Sequence, residues 1–463
     1  MSNSISANRS TLRNFLASIA TIQGDLSNIA APPFVLAEHS TVELPQYMAD
    51  HPSLFIAPAL RTEPSERALL VLKRFLCSLR NQQYAGRSEA DGVKKPLNAF
   101  LGELFLGKWE NEEIGTTRLV AEQVSHHPPI TACYFWNEKH GVRTTGFAQQ
   151  EITFSGSVSI KQKGYAIFHI DRYDEDYLIP MPNVKVKSIV SGTPYPELTG
   201  RCSIISSTGF VAEVTFEAKG WITGGTKNGF HARVFHTERP KEDLYTVKGT
   251  WNTEFTIEDA RTGETVEKCN VAAQKSIPVA VDNIENQDPW ESRRAWKDVV
   301  GSLEKGDMKA TAEAKSIVEN GQRQMRQEEK DRGVEWKPLF FRRQQEDVLF
   351  EKLSRMDKDS FAVDAEGGIW KVDLNAIKNV KKPYHGGLSP TGSLPDPVEG
   401  NVQMKGMDGF EAESNIEGKI ERPNSKAHKE RTSGPTNDAT DKELREKIQV
   451  EEFLRNKYSS NPR

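Results

Sequence analysis

The stretch from about residue 100 to 270 most strongly constrains the fold of this 463-residue chain. It consists of short β-type segments with turn signals at regular intervals, a pattern typical of a large antiparallel sheet or barrel. The clearest alternation lies at 152–162, where apolar residues share one parity and Ser, Thr and Lys share the other. Successive side chains on a strand point to opposite faces. The residues predicted to face inwards are therefore Ile152, Phe154, Val158, Ile160 and the polar Gln162.

The regions on either side of this stretch are mainly helical in pattern. Apolar residues recur at helical spacing at 66–80, 291–302 and 311–330. Towards the C-terminus the sequence becomes rich in Gly, Pro, Ser, Asn and charge, which cannot bury enough surface to offset ordering. The predicted segments are an amphipathic lid at 1–29, a helical region at 30–99, the β-barrel core at 100–270, a helical subdomain at 271–380, a disordered linker at 381–440 and a C-terminal helix at 441–463.

Residues 8–28 form an amphipathic segment. Its apolar residues fall at helical spacing, and the opposite face carries mostly Ser, Thr, Asn and Gln. One interpretation is an ordinary helix packed on the core. The other is a lid that covers an apolar cavity and can also rest on loosely packed lipid. The residues predicted to seal such a cavity are Leu12, Phe15, Leu16 and Ile19.

Composition excludes several classes of protein. The net charge is -4, so no overall positive field favours nucleic acid, and any anion site must arise from local clustering. The four cysteines are widely separated without a CxxC pair, which suits a reducing compartment and argues against a disulfide framework or a structural zinc site. Neither a membrane-spanning apolar run of about 18–20 residues nor a compact signal peptide is present. We therefore expect a cytoplasmic protein without a cofactor.

Three local clusters could bind an anion. The first is Lys94-Lys95-Pro96-Leu97-Asn98, the second is His126-His127, and the third is the row Lys315, Glu319 and Arg323. The members of the row are four residues apart, so they share one helix face. Lysine supplies a point charge and arginine two parallel donors. Taken singly, the first cluster could be a solvated loop, the histidines a metal pair that lacks a third ligand, and the row surface ion pairs of little energetic value.

The histidines belong to the string Glu-Gln-Val-Ser-His-His-Pro-Pro at 122–129. This string resembles the fingerprint of the oxysterol-binding protein family of lipid-transfer proteins, and the resemblance extends from near the N-terminus to about residue 345. Residues 94–103 resemble the family's Lys-Lys-Pro-x-Asn-Pro-x-x-Gly-Glu signature, with Ala99 where proline is usual. The resemblance implies a binding site for the head group of phosphatidylinositol 4-phosphate. The implied residues are Lys95, the backbone at Leu97, Asn98, His126, His127, Lys315, Glu319 and Arg323.

The resemblance also implies an α+β fold: a large incomplete antiparallel β-barrel enclosing a lipid tunnel, with an N-terminal lid and helices and a C-terminal helical subdomain. The similarity is greatest to short fungal, sterol-type members, in which polar groups inside the tunnel bind the sterol hydroxyl. The positions that match these polar groups are Gln83, Tyr84 and Gln162, and Met48 is a further implied sterol-binding residue. Met48 stands where tryptophan is usual, and Ala148 replaces an asparagine. Gln162 could instead be an interior glutamine bonded to backbone.

The function implied by the resemblance is exchange of a sterol for phosphatidylinositol 4-phosphate between membranes, with both cargos competing for one tunnel. Two alternatives stay open: exchange of phosphatidylserine instead of sterol, and a sensor that regulates membrane traffic without bulk transfer. A hydrolase using Ser125 is disfavoured, because adjacent residues on an extended chain point apart and no GxSxG elbow is present. We expect a monomer that contacts Golgi- and ER-type membranes transiently, binds no nucleic acid, and carries no pleckstrin-homology or ankyrin module upstream.

Overall fold

A computed structural model describes residues 8–22, 24–27, 29–189, 193–217 and 225–392. The helices are α1 (Arg9–Ile19), α2 (Pro52–Ile56), α3 (Pro64–Tyr84), α4 (Ser292–Ala295), α5 (Lys297–Glu304), α6 (Met308–Arg332), α7 (Val348–Ser354) and α8 (Leu374–Asn379). The strands are β1 (Leu36–Ser40), β2 (Lys95–Leu97), β3 (Leu104–Asn111), β4 (Gly115–His126), β5 (Pro129–Asn137), β6 (Val142–Phe154), β7 (Val158–Ile170), β8 (Glu175–Ile179), β9 (Asn183–Lys187), β10 (Tyr195–Ser206), β11 (Phe210–Phe216), β12 (Gly229–His236), β13 (Asp243–Thr250), β14 (Glu254–Asp259), β15 (Thr265–Asn270), β16 (Phe341–Gln344) and β17 (Ile369–Val372).

Strands β3 to β15 form one 13-stranded antiparallel sheet within the described residues. Neighbours in sequence are neighbours in the sheet, except that β9 pairs with both β7 and β10 beside β8. Within the described part of the chain β3 and β15 do not pair with each other, so the barrel is incomplete. The free edge of β3 instead forms single bridges with Ala280 and Glu291. The predicted fold class, α+β with an incomplete antiparallel barrel, is confirmed.

Helix α3 packs against strands β10, β11 and β12 of the sheet. It begins with Pro64, whose missing N–H is harmless in the first turn, and ends at Ala85, which adopts a left-handed conformation at φ 48°. Its apolar face, which includes Leu72 and Leu76, is fully buried in the core formed with the inner face of the sheet. The end of this helix consequently brings Tyr84 to the interior.

Strand β4 is buried on both faces. Leu119 and Ala121 pack inwards with α3 and the N-terminal region. Val120 and Val124 point the other way and pack with the C-terminal part of the chain. Because both faces are covered, β4 shows almost continuous burial in place of the alternation expected of a strand with one solvated face.

The N-terminal segments differ in detail from the prediction. Helix α1 covers only Arg9–Ile19, because the chain at 24–27 hydrogen-bonds to β6 and does not continue the helix. The region 30–99, predicted to be helical, also contains β1 and β2, which pair in parallel. This pairing was not visible in the sequence because both strands are short and lie about 60 residues apart.

The C-terminal segments also need correction. The predicted helix at 291–302 is broken into α4 and α5 at Trp296, whose φ and ψ of -98° and 7° are not helical. The subdomain at 271–380 contains the antiparallel pair β16 and β17 as well as helices. The linker was predicted to begin at 381, but residues 381–392 pack on the subdomain: the indole of Trp290 donates to the backbone of Leu388 at 2.7 Å. Residues 393–440 and the predicted helix at 441–463 lie outside the described residues.

None of the helices in the described part of the chain combines the length and the apolar character that crossing a bilayer requires.

Candidate functional site

The barrel encloses a cavity of about 340 Å³ whose wall is mostly apolar. Helix α1 forms one side of it. The four residues predicted to seal a cavity all lie in this wall and are buried, namely Leu12, Phe15, Leu16 and Ile19. The 152–162 hairpin forms another side through Ile152, Val158 and Ile160. A cavity of this size and character is typical of a site for a small, largely apolar molecule.

The four positions implied for a sterol, Gln83, Tyr84, Gln162 and Met48, also line the cavity. Burial raises the pKa of Tyr84 to about 12, so its hydroxyl stays protonated at neutral pH. Gln162 faces the cavity, and its amide Nε2 also donates to the carbonyl of Pro182 at 2.8 Å. The hydrogen bond to backbone agrees with the second interpretation of Gln162, and its contact with a sterol hydroxyl stays a prediction.

Three further polar residues of the wall were not singled out from the sequence. Gln150 stands directly opposite Gln162 in the β6–β7 register and lines the same cavity. Gln123 and Thr131 are cross-strand partners on β4 and β5, and the Thr131 hydroxyl donates to the Gln123 amide oxygen at 2.7 Å. Even parity around 152–162 could have indicated Gln150, because it places that residue on the face of Ile152.

The cavity wall becomes cationic at β2. Lys95 and Asn98 line the cavity, and the Lys95 ammonium donates to the Asn98 side-chain oxygen. Strand β2 is held by its parallel pairing with β1, where Leu97 lies opposite Ser40. Leu97 is fully buried, and the predicted contact of its backbone with a head group stays a prediction. One wall residue, Lys95, thus belongs both to the cavity and to a charged cluster.

Strand β4 brings the two histidines to the same place. The strand ends at His126, and the chain turns through His127 and Pro128 into β5. The His126 Nδ1 lies 3.1 Å from the Ala99 carbonyl oxygen, which can only accept, so Nδ1 carries the proton. The two imidazole rings are 4.7 Å apart. A second proton on this imidazole would be carried by Nε2, and the ring would then be a cation.

Helix α6 adds Lys315 to Lys95, Asn98, His126 and His127, and we call these five residues the cationic cluster. Lys315 is buried and donates to the Glu319 carboxylate one turn further along. Burial, followed by the positive charge of Lys315, lowers the pKa of Lys95 to about 7. Burial, followed by the charge of His127, lowers the pKa of His126 to about 4. The cluster therefore concentrates basic groups whose charge is suppressed, and an anion placed among them would restore it.

The last implied residue of the row lies at the margin. Arg323 is exposed on α6, and its guanidinium donates to Asn320 at 3.2 Å. A further cation on α6 escaped the sequence analysis. Arg326 stacks on the Trp336 ring at 4.7 Å, and its charge helps to lower the pKa of His126. No sequence signal distinguished it, because it stands outside the i, i+4, i+8 row.

A comparison with protein-family models identifies the family of this chain. The family model described as "Oxysterol-binding protein" matches residues 15–302. The chain belongs to the oxysterol-binding protein family. The predicted recognition is thereby confirmed, and the match spans Phe15 of α1, the barrel, both signature motifs and most of α5.

Curated family members show substantial identity. The chain is 53% identical over 376 residues to "Probable transporter efuK" of Hormonema carpetanum, covering 81% of this chain but 54% of that protein. It is 40% identical over 356 residues to "Protein kes1" of Schizosaccharomyces pombe, covering 76% of this chain and 91% of that one. It therefore spans about half the length of the first relative and most of the second, consistent with a kes1-like member.

Solved structures show the same fold. The ORD domain of Osh1 in complex with ergosterol aligns with a TM-score of 0.59 at 17% identity, over 82% of this chain and 97% of that one. The ORD of Osh3 from Saccharomyces cerevisiae, in complex with PI(4)P, aligns with a TM-score of 0.56 at 22% identity, over 72% and 86%. At this identity the likeness shows the fold alone.

Proposed function

We propose that this protein exchanges a sterol for phosphatidylinositol 4-phosphate between membranes, with the two cargos competing for one cavity. The observation that carries the proposal is the position of Lys95 and Asn98, which line the apolar cavity and also belong to the cationic cluster. A phosphoinositide would place its acyl chains in the cavity and its phosphorylated head group in the cluster. A sterol would occupy the cavity alone, so binding of one cargo excludes the other.

Energetics favour a closed carrier for the sterol. Exposing apolar surface to water costs roughly 25 cal/mol per Å², so a free sterol crosses the aqueous gap slowly. The wall formed by α1 and the barrel offsets that cost during transit. Head-group binding would rest on charge-assisted hydrogen bonds from Lys95, His126 and Lys315, which are stronger than neutral ones. The osh-type relatives that bind ergosterol and PI(4)P share this fold, which supports the assignment.

We favour binding over catalysis. Ser125 and His126 are consecutive on β4, so their side chains leave opposite faces of the strand. The His126 Nδ1 is already engaged by the Ala99 carbonyl. The proposal further includes a cytoplasmic location and transient contact with membrane surfaces, both of which follow from the family resemblance. Fractionation of cells expressing the tagged protein tests them.

The test of the proposal separates the two cargos. Changing His126 and His127 together to alanine should abolish extraction of phosphatidylinositol 4-phosphate from liposomes while sterol uptake persists. His231→Ala is the matched control, because that imidazole is 63% exposed on β12. Equal loss of both cargos in the double variant would contradict the division of labour.

A second assay tests exchange itself. Sterol transfer between two liposome populations should accelerate when phosphatidylinositol 4-phosphate is supplied in the acceptor. A protein that extracts lipid but transfers none would be a sensor. A third arm offers phosphatidylserine in place of sterol, because Ala148 lines the cavity where sterol-type members carry asparagine. Preferential transfer of phosphatidylserine would replace the sterol assignment.

A further inference from the structure

Part of the backbone edge of β6 lies beyond the end of β5. The β5–β6 register ends with Ile130 opposite Gln149, so the described residues of β5 offer no partner to β6 from Gln150 to Phe154. If the register continued, Ile152 would face His127, but the chain turns away there towards β4. An unpaired strand edge presents N–H and C=O groups on which another segment of the chain can pair.

The segment after the lid helix supplies those partners. The Ile152 carbonyl accepts from the backbone N–H of Leu26 at 2.7 Å. The Ile152 N–H donates to the Asp25 carboxylate, also at 2.7 Å. The same carboxylate accepts the Ser27 N–H at 2.9 Å and the Ser27 hydroxyl, which fixes the local turn. The Asp25 carboxylate therefore accepts the Ile152 N–H in place of the carbonyl of a neighbouring strand.

This attachment directly follows a glycine in the chain. Gly24 has a φ of 112°, a conformation that L side chains rarely adopt, and it directly precedes Asp25. Helix α1 lies on the other side of Gly24 along the chain. Leu26 is buried with the apolar residues of α1 in one cluster. The geometry therefore combines a fixed point on β6, a glycine beside it and a helix that covers the cavity.

We propose that Asp25 is a positioning residue that fastens the lid to the free edge of β6 and so sets how long the cavity stays closed. This inference rests on the proposed function for its consequence, the retention of cargo. Its structural content, the attachment of the lid, is independent of which cargo is carried. The Asp25 carboxylate also raises the pKa of Lys95 against the effect of burial, so the fastening lies on the side of the cavity that carries the cationic cluster.

Hydrogen–deuterium exchange of the lipid-free protein tests the attachment directly. Asp25→Ala removes the acceptor for the Ile152 N–H, whereas Asp25→Asn keeps a side-chain oxygen in the same place. Exchange of the amides of Leu26 and Ile152 and of the peptide 9–22 should accelerate roughly tenfold in the alanine variant, as expected for loss of one or two hydrogen bonds. The asparagine variant should stay close to wild type. Unchanged exchange in Asp25→Ala, or equal acceleration in Asp25→Asn, would overturn the proposal.

Asp373→Ala is the matched control. Asp373 also accepts two backbone amides, from Asn375 at 3.0 Å and Ala376 at 3.1 Å, but at the start of α8. Its loss should leave exchange of the lid unchanged; acceleration there would show a general loss of stability and overturn the specific role of Asp25.

A second readout separates this inference from the proposed function. Release of a preloaded fluorescent sterol should be roughly five to ten times faster in Asp25→Ala than in Asp25→Asn. Faster exchange of the lid with unchanged sterol release would keep the attachment and overturn its role in retaining cargo. If no variant and no wild-type protein bound sterol, the proposed function would fail while the exchange data still decided the attachment.

Discussion

The carboxylate of Glu122 accepts a 2.8 Å hydrogen bond from the backbone N–H of Phe340. The same carboxylate accepts the N–H of Leu339 at 2.6 Å, and the side chain is fully buried. Glu122 opens the motif that contains the two histidines, yet it points away from the cavity towards the C-terminal part of the chain. Glu122, the first residue of the motif, thus joins the barrel to the subdomain. The two histidines of the same motif belong to the cationic cluster.

Loss of the Glu122 hydrogen bonds should destabilise the folded protein. Glu122→Ala leaves one buried and one half-buried backbone donor without their acceptor, and we expect the free energy of unfolding to fall by about 2–5 kcal/mol. Urea denaturation followed by circular dichroism measures the loss. Glu110→Ala is the control, because that carboxylate is 58% exposed on β3 and should change stability by no more than about 0.5 kcal/mol. Equal stability of the two variants would show that the subdomain is held without the Glu122 hydrogen bonds.

The pH dependence of stability follows from the same burial. Burial raises the pKa of Glu122 from 4.5 to about 7, so the folded state retains a proton that the unfolded chain releases in this window. The contribution of this carboxyl to the free energy of unfolding is therefore largest below pH 4.5 and declines as pH rises towards 7. Glu122→Gln cannot ionise, so its stability deficit relative to wild type should shrink by up to about 3 kcal/mol between pH 4.5 and 7. Denaturation at several pH values checks this, and a deficit that grew with pH would contradict it.

The barrel could be predicted because its strands follow a local rule. Alternation at 152–162 places Ile152 and Ile160 on one face, and the structure pairs them across β6 and β7. The same rule fails for β4, where Val120 and Val124 are buried on the outer face by a segment more than 200 residues later. It also missed the parallel pairing of β1 and β2. Local periodicity reports one face of a strand, and the covering of the other face depends on distant sequence.

The candidate site could be predicted only through the family resemblance. No spacing rule brings Lys315 to Lys95, because the two lysines are 220 residues apart and on different elements. Strand parity alone indicates one further residue of the cavity wall that the prediction omitted. Gln150 has the parity of Gln162 and pairs with it, but it was overlooked. The role of Asp25 could not be predicted from the sequence. Its partner Ile152 has an unpaired N–H only because β5 ends before reaching it.

Head-group binding should take up protons. The pKa values of Lys95 and His126 are lowered to about 7 and about 4, and a bound phosphate would raise both. The complex then holds more protons than the free protein, so affinity should increase as pH falls from 8.5 to 7. Below about pH 6 the phosphate itself gains a proton, which opposes the trend. Calorimetry with a soluble inositol phosphate in buffers of different ionisation enthalpy counts the protons.

Lys95→Met is the informative variant for this prediction. It removes one titrating group, so both affinity and proton uptake above pH 7 should fall. Lys108→Met is the control, because that ammonium is 47% exposed on β3 and pairs with a surface carboxylate. Proton release on binding to the wild-type protein would show that the cluster is already fully charged without an anion.

Helix α1, the predicted lid, should be sensitive to charge on one face only. Leu16 is buried against the cavity, so Leu16→Asp would place a carboxylate in an apolar wall. We expect retention of a fluorescent sterol to fall at least tenfold. Asn14→Asp adds the same charge to the exposed face of α1 and should leave retention unchanged. Equal effects of the two substitutions would show that total charge on α1, and not the sealing face, controls retention.

The roles of Gln162 and Gln150 in the cavity wall can be tested by comparing binding of sterols with and without a hydroxyl. If the Gln162 amide binds the sterol hydroxyl, Gln162→Leu should weaken binding of a hydroxylated sterol by roughly tenfold, the value of one net hydrogen bond. The same variant should not weaken binding of an analogue that lacks the hydroxyl, because no hydrogen bond is then lost. Gln150→Leu is the matched change on the facing strand. A loss of affinity that is equal for both sterols would assign Gln162 to holding the wall through the Pro182 carbonyl, since that bond is independent of the ligand.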